Sequence, residues 1–304
     1  MTDTLSQYSV LALYSAMAIY AIAFVLFTLD LAKGASSDAP AGEATKVVVV
    51  PERRKLARVA MSLTVLGFVL QLAATLMRGF AASRVPWANM YEFAMTGTLI
   101  IVGVFLLVNL KWDMKFLGSF VTGLVLLLLG LAATRYYVEI VPLPPALQSY
   151  WLVIHVFVAT LATGFFALGF ALSLMQLLQT KRESAAAAQE KTRLGFLTRL
   201  PDSVQLENYA YRLIIIGFVL WTFTLIAGAI WAEKAWGRYW GWDTKEVWTF
   251  IIWTIYAGYI HARSTRGWRG TRSAWLAMVG FAAVMFNFTV VNIFFKGLHS
   301  YSGL

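Results

Sequence analysis

The sequence predicts an all-α fold, a polytopic membrane helical bundle of about eight transmembrane helices with both termini on the exoplasmic side. Three observations predict it. First, 60% of the 304 residues are hydrophobic and only 13% are charged, with a mean hydropathy of +0.68. A soluble domain carries about 25% charged residues, so this chain has more apolar surface than its own core can hide. Second, the apolar runs are long and continuous, close to the roughly 20 residues a spanning helix needs. Only helices or closed barrels satisfy the backbone in lipid, and the lack of alternation selects helices. Third, Lys and Arg are unevenly divided between alternate loops.

The elements follow in order. The first span, 8–31, comes after MTDTLSQ, which holds no Lys or Arg, and is too long for a signal-peptide core, so it is read as retained. Spans follow at 59–77, at 93–110 after "RVPWANMYE" (84–92), and at 116–133. The fifth, 150–178, contains His155 about five residues in, and the sixth is 209–231. The seventh, 246–262, opens on "DTKE", which has the form of a capping box with Asp243 as N-cap and Glu246 three residues on. The eighth is 273–295. The fourth and seventh are short.

With these limits, seventeen of the 25 Lys and Arg fall in one alternating set of loops, which positive-inside bias assigns to the cytoplasm. The net charge of +10 is therefore a topology signal and calls for membrane lipid, with no nucleic acid. The whole chain, 1–304, reads as a single membrane domain with cytoplasmic linkers at about 34–55 and 181–201. The stretch "ESAAAAQEK" in the second linker has the composition of a short surface helix. No cysteine is present, which excludes disulfides, thiol chemistry and iron–sulfur ligation by this chain.

The segment "WGRYWGWDTKEVW" puts four tryptophans in thirteen residues, three of them within an external loop at 232–245. Tryptophan commonly belts the membrane interface, but a glycine-broken cluster in a loop also suits flat walls around a flat ligand. Trp236, Trp240 and Trp242 are the candidate walls, and Gly237 and Gly241 would allow close backbone approach. Arg238 and Lys245 are either solvated or paired with acidic groups of a ligand. The chain has three histidines. His155 lies about 8 Å into its span from the tryptophan side, and His299 lies in the tail on that side. His261 lies roughly 22 Å along the helix from Glu246, near the inner face. Two histidines, aromatic walls and nearby cations point to an external haem or quinone site.

The tryptophan segment resembles the WGxxWxWD signature of haem-handling proteins in cytochrome c biogenesis. Together with length, span count and "NMYE" (Asn89, Tyr91 and Glu92 among them), the chain resembles the CcsA/ResC-type haem-handling subunit of the system II cytochrome c synthase. That resemblance implies a haem lyase that binds haem b, presents it at the outer face of a bacterial plasma membrane and assists its attachment to the CxxCH motif of apocytochrome c, also taking part in haem export. It implies external axial ligands His155 and His299, and an inner ligand His261 shared with a ResB-type membrane subunit. It gives a haem-binding loop of Trp236, Gly237, Trp240, Trp242 and Asp243, possible propionate contacts Arg238 and Lys245, and support from Asn89, Tyr91 and Glu92. A thiol-reducing thioredoxin-like protein is a further implied partner. Two alternatives are a haem-delivery protein of the other bacterial maturation pathway and a haem- or quinone-linked membrane electron carrier.

Overall fold

The computed structural model describes residues 2–33, 55–140, 148–190, 194–265, 267–295 and 297–299. Its eight long elements are helices: α1 (Thr2–Ala32), α2 (Lys55–Ala82), α3 (Met90–Lys111), α4 (Gly118–Arg135), α5 (Tyr150–Ala187), α6 (Ser203–Trp236), α7 (Thr244–Ser264) and α8 (Thr271–Phe286). A π-turn, Asn287–Val291, and a last helical turn, Asn292–Phe294, continue α8. Each predicted span overlaps one of these helices; the fourth begins in a 3-10 turn, Lys115–Leu117, and the eighth runs on from α8 through the π-turn. Seven of the eight are long and apolar enough to cross a membrane. The predicted seventh span, α7, has the length but also carries Lys245, Glu246, His261 and Arg263, so composition alone does not make it a span. The first linker lies outside the described residues except for Lys55. The second differs from expectation: Lys181–Ala187 continues α5 as a 38-residue helix, about 57 Å long. Ala-rich sequence without Gly or Pro gives that helix no reason to stop at the membrane.

Helices consecutive in the chain run antiparallel, tied by a few paired polar groups in apolar surroundings. The α1 Ser9 hydroxyl donates to the Ala74 carbonyl of α2 (2.8 Å), and Tyr20 donates to Gln71 Oε1 (2.9 Å). Gln71 then donates to Met95 O and Thr98 Oγ1 of α3. Phe166 of α5 stacks flat on Tyr256 of α7 at 3.8 Å, while Trp221 of α6 donates to the Thr249 carbonyl of α7 (3.1 Å). These pairings put Asn89, Ser149, Trp236 and Asp243 at one end of the bundle. Glu207, Arg263 and Gly270 meet at the other, with an Arg263–Glu207 ion pair of 2.7 Å.

The first end is braced by an ion triad. Glu92 is fully buried and accepts from Arg78 Nε (3.1 Å), from both terminal nitrogens of Arg84 (2.6 and 3.1 Å) and from the Ala88 N–H (3.0 Å). Tyr91 is buried beside it, under the Arg78 guanidinium. Asn89 caps α3 by accepting from the Glu92 N–H at 2.9 Å. Glu92 and Tyr91 thus fix the α2–α3 corner, and only Asn89 of the three faces the cavity described below. Removing one member of a buried ion cluster leaves uncompensated charge, at about 3–5 kcal/mol. Glu92→Ala is expected to lose about that much stability in detergent, measured by thermal unfolding, although no histidine is altered.

Candidate functional site

His155 sits in the second turn of α5, facing α6. Its Nδ1 lies 3.0 Å from the Thr224 carbonyl oxygen. A carbonyl can only accept, so Nδ1 carries the proton and Nε2 keeps a free lone pair. The ring stacks on Trp231 (5.9 Å between centroids, 16° between planes). Such close approach requires Gly228, where a Cβ would come within 2.7 Å of the imidazole.

His299 reaches the same place from the tail. Its Nδ1 lies 2.7 Å from Asp243 Oδ2, and the Leu298 N–H donates to Asp243 Oδ1 at 3.3 Å. The carboxylate orients the ring and again leaves Nε2 to act. The hydrogen bond from His299 is the main reason the Asp243 carboxyl is held below its usual range. Trp236 and Trp231 meet the His299 ring edge to face, at 4.8 and 5.4 Å. Both imidazoles therefore flank one indole, Trp231, and both line one cavity of about 190 Å³ enclosed by α3, α4, α5, α6, α7 and the end of α8. Among the described residues no three His, Asp or Glu side chains gather as a metal cluster. A metal here would have two imidazoles from this chain and its remaining ligands from elsewhere, as an iron in a macrocycle does.

The loop is built differently from the sequence expectation. Gly237 has φ +70° and ends α6 as its left-handed cap, which is a stop signal, and its position serves the helix end. The Gly241 N–H donates to Glu246 Oε2 at 2.8 Å, and the Arg238 guanidinium occupies the space a Gly241 side chain would need. Arg238 pairs with Glu246 (3.3 Å), so it holds the loop together and does not line the cavity. Trp240 and Trp242 pack edge to face on each other outside the cavity lining. Trp242 is 76% exposed with φ +60°, rare for a bulky residue. Of the loop tryptophans, Trp236 alone touches a histidine.

Asp243 and Glu246 form the predicted capping box at α7. The Asp243 N–H donates to Glu246 at 3.0 Å, while the Asp243 carboxylate also holds the tail. Lys245 lines the cavity and donates to Asn292 Oδ1. Trp231, one residue outside the predicted loop, Trp87 and Trp221 are the wall tryptophans that sequence reasoning missed. The π-turn was also unforeseen. An α-helix would separate Asn287 and Asn292 by about 140°, but the wider turn brings both to the cavity wall. His261 is exposed at the opposite end of the bundle, far from this cavity.

With this geometry in place, comparison with known proteins is decisive. Residues 87–299 match the family model described as Cytochrome C assembly protein. The chain belongs to the cytochrome c assembly family. It is similar to the cytochrome c biogenesis protein CcsA of Trieres chinensis (34% identity over 255 residues, 75% of this chain and 81% of the relative). The CcsA of Guillardia theta is 36% identical over 234 residues, covering 72% and 77%. In fold it is similar to a solved chain, Cytochrome c Heme Lyase CcmF (TM-score 0.66, 18% identity), over 93% of its own length. The chain spans about half the length of that structure, 46%. The family match begins at Trp87 and ends at His299, so it frames the whole cavity and leaves α1 and α2 outside.

The Asp243–His299 contact gives a pH prediction. A carboxyl with a lowered folded pKa contributes fully above its unfolded value, about 3.9, and that contribution is lost as pH falls through the folded value. With a nitroxide on Leu298→Cys, unique in a cysteine-free chain, tail mobility should stay low at neutral pH and rise only below about pH 4. With Asp243→Ala added, the label should be mobile throughout.

Proposed function

We propose that this chain handles haem in cytochrome c biogenesis as a CcsA-type subunit, holding it between His155 and His299 for attachment to apocytochrome c. One observation carries the reading: two imidazoles from separate elements each commit Nδ1 to the protein, and both line the same aromatic-walled cavity. The donor set fits a haem, which takes two axial imidazoles. When bound, haem supplies the iron and the vinyl groups to which the thiols of a CxxCH segment add. The chain's own residues do the positioning. Thr224 and Asp243 fix the tautomers, Gly228 lets His155 seat against α6, and Trp231 spaces the two rings. The absence of cysteine keeps thiols out of the site until a substrate brings them.

The same reading assigns haem lyase activity with a ResB-type partner, and a thioredoxin-like protein to keep the incoming thiols reduced. It puts the cavity on the exoplasmic side of the plasma membrane and takes haem b as the bound form. His261 supports the partner: it is exposed on α7 at the far end of the bundle, so its second ligand has to come from another chain. Trp240 and Trp242, turned outward, are the surface that an arriving substrate would meet first.

The purified chain loaded with haem should show a bis-imidazole absorption spectrum, lost in both His155→Ala and His299→Ala. Retention of that spectrum in both variants would count against the assignment. Gly228→Ala deletes no ligand but crowds His155, and should weaken haem binding on the order of tenfold, about 1.4 kcal/mol, with thermal stability little changed.

A further inference from the structure

One wall of the cavity carries hydrogen-bonding capacity that the protein leaves unused. Lys245 lies in the lining at the start of α7. Its ammonium reaches Asn292 Oδ1, and among the described residues no carboxylate forms an ion pair with it. Asn292 in turn points its amide at Met90 Sδ, 3.5 Å away, which brings Lys245 to the first turn of α3. There Asn89, only 4% exposed, spends Oδ1 on capping α3 and leaves Nδ2 buried without a partner. Two residues earlier, Trp87 Nε1 is likewise buried without a partner, and Trp87 and Asn89 both line the cavity. Asn287 marks the inner limit of this wall. It lies beside Thr249, one turn of α7 deeper than Lys245, with Oδ1 unpartnered.

An un-neutralised cation and two idle donors in apolar surroundings are costly unless an acceptor arrives. A carboxylate is acceptor-only and offers two oxygens. We infer that Lys245, Asn89 and Trp87 form an internal carboxylate seat that takes a propionate of the haem. The inference rests on the haem reading above and deepens it. Arg238, the other cation of the loop, is bound to Glu246 and does not enter the seat. Two imidazoles fix the iron but leave the disc free to rotate about the axis between them. The seat removes that freedom. Propionates and vinyls occupy opposite halves of the macrocycle, so clamping the anionic edge decides which edge is offered to the thiols.

The test compares iron protoporphyrin IX with its dimethyl ester, titrated into the full-length chain in detergent and followed by the bis-imidazole spectrum. The wild-type chain should prefer the diacid by roughly tenfold or more, the scale of a charge-assisted hydrogen bond. Lys245→Met should lose most of that preference with its affinity for the ester unchanged, which also shows that the cavity is intact. Asn89→Asp keeps the α3 cap but replaces the donor with an acceptor, and should weaken the diacid more than the ester. Equal affinity for both porphyrins in the wild type, or an unchanged preference in both variants, overturns the seat. If neither porphyrin gives the spectrum in the wild type, the haem reading fails and takes the seat with it.

Discussion

In an apolar bundle every polar group must find a partner inside the protein, because lipid offers none. That constraint organises this molecule. Several deep polar side chains occur as closed sets. Tyr20, Gln71 and Thr98 bridge three helices, and Glu92 absorbs two arginines and a backbone amide. Pairing is incomplete at isolated hydroxyls deep in the bundle, those of Ser173 and Tyr256, and along one cavity wall. The unsatisfied atoms of Trp87, Asn89 and Asn287 all belong to residues lining the cavity that also holds His155 and His299. What sets the cavity apart is that three such atoms gather on one wall, where an incoming polar group has partners to meet.

Asp243 shows how few residues are needed to join fold and site. As a helix cap it sets where α7 begins, and with it the position of Lys245 two residues later. As a carboxylate it captures the tail through His299 and Leu298. Glu246 supports it by tying Gly241, Asp243 and Arg238 into one rigid turn. The capping box and the histidine-orienting group are thus one structure. The structural and functional explanations of this aspartate describe the same set of bonds.

Hydropathy made the helices legible because span length is dictated by the bilayer and apolar runs are hard to mistake. The histidines were legible because there are only three, and the side each falls on follows from the helix order. The walls were harder. A tryptophan in a loop and a tryptophan on a helix look alike in sequence, and only helix packing turns Trp231 and Trp221 inward while leaving Trp242 exposed. Gly237 was misleading for a related reason: glycine serves close approach and left-handed caps equally well. The π-turn at Asn287 has no periodic signature, because one widened turn does not disturb an apolar pattern. In "NMYE", four adjacent letters divide between two tasks, since Asn89 faces the cavity while Tyr91 and Glu92 face the arginines.

The two imidazoles are held with unequal stiffness. His155 is part of a 38-residue helix, hydrogen-bonded to the backbone of its neighbour and stacked face to face on an indole. His299 stands on a tail beyond the π-turn, secured by one carboxylate and the edges of two indoles. Local opening free energy falls where buried contacts are few, so the tail opens before α5 does. On the proposed reading, a chain that grips haem and then releases it to another imidazole needs one anchor and one latch, and they have to be different kinds of element. A helix supplies the anchor because its backbone bonds are internal. The tail supplies the latch because its hold is concentrated in Asp243, the same carboxylate that caps α7, so release of the segment is coupled to the start of that helix.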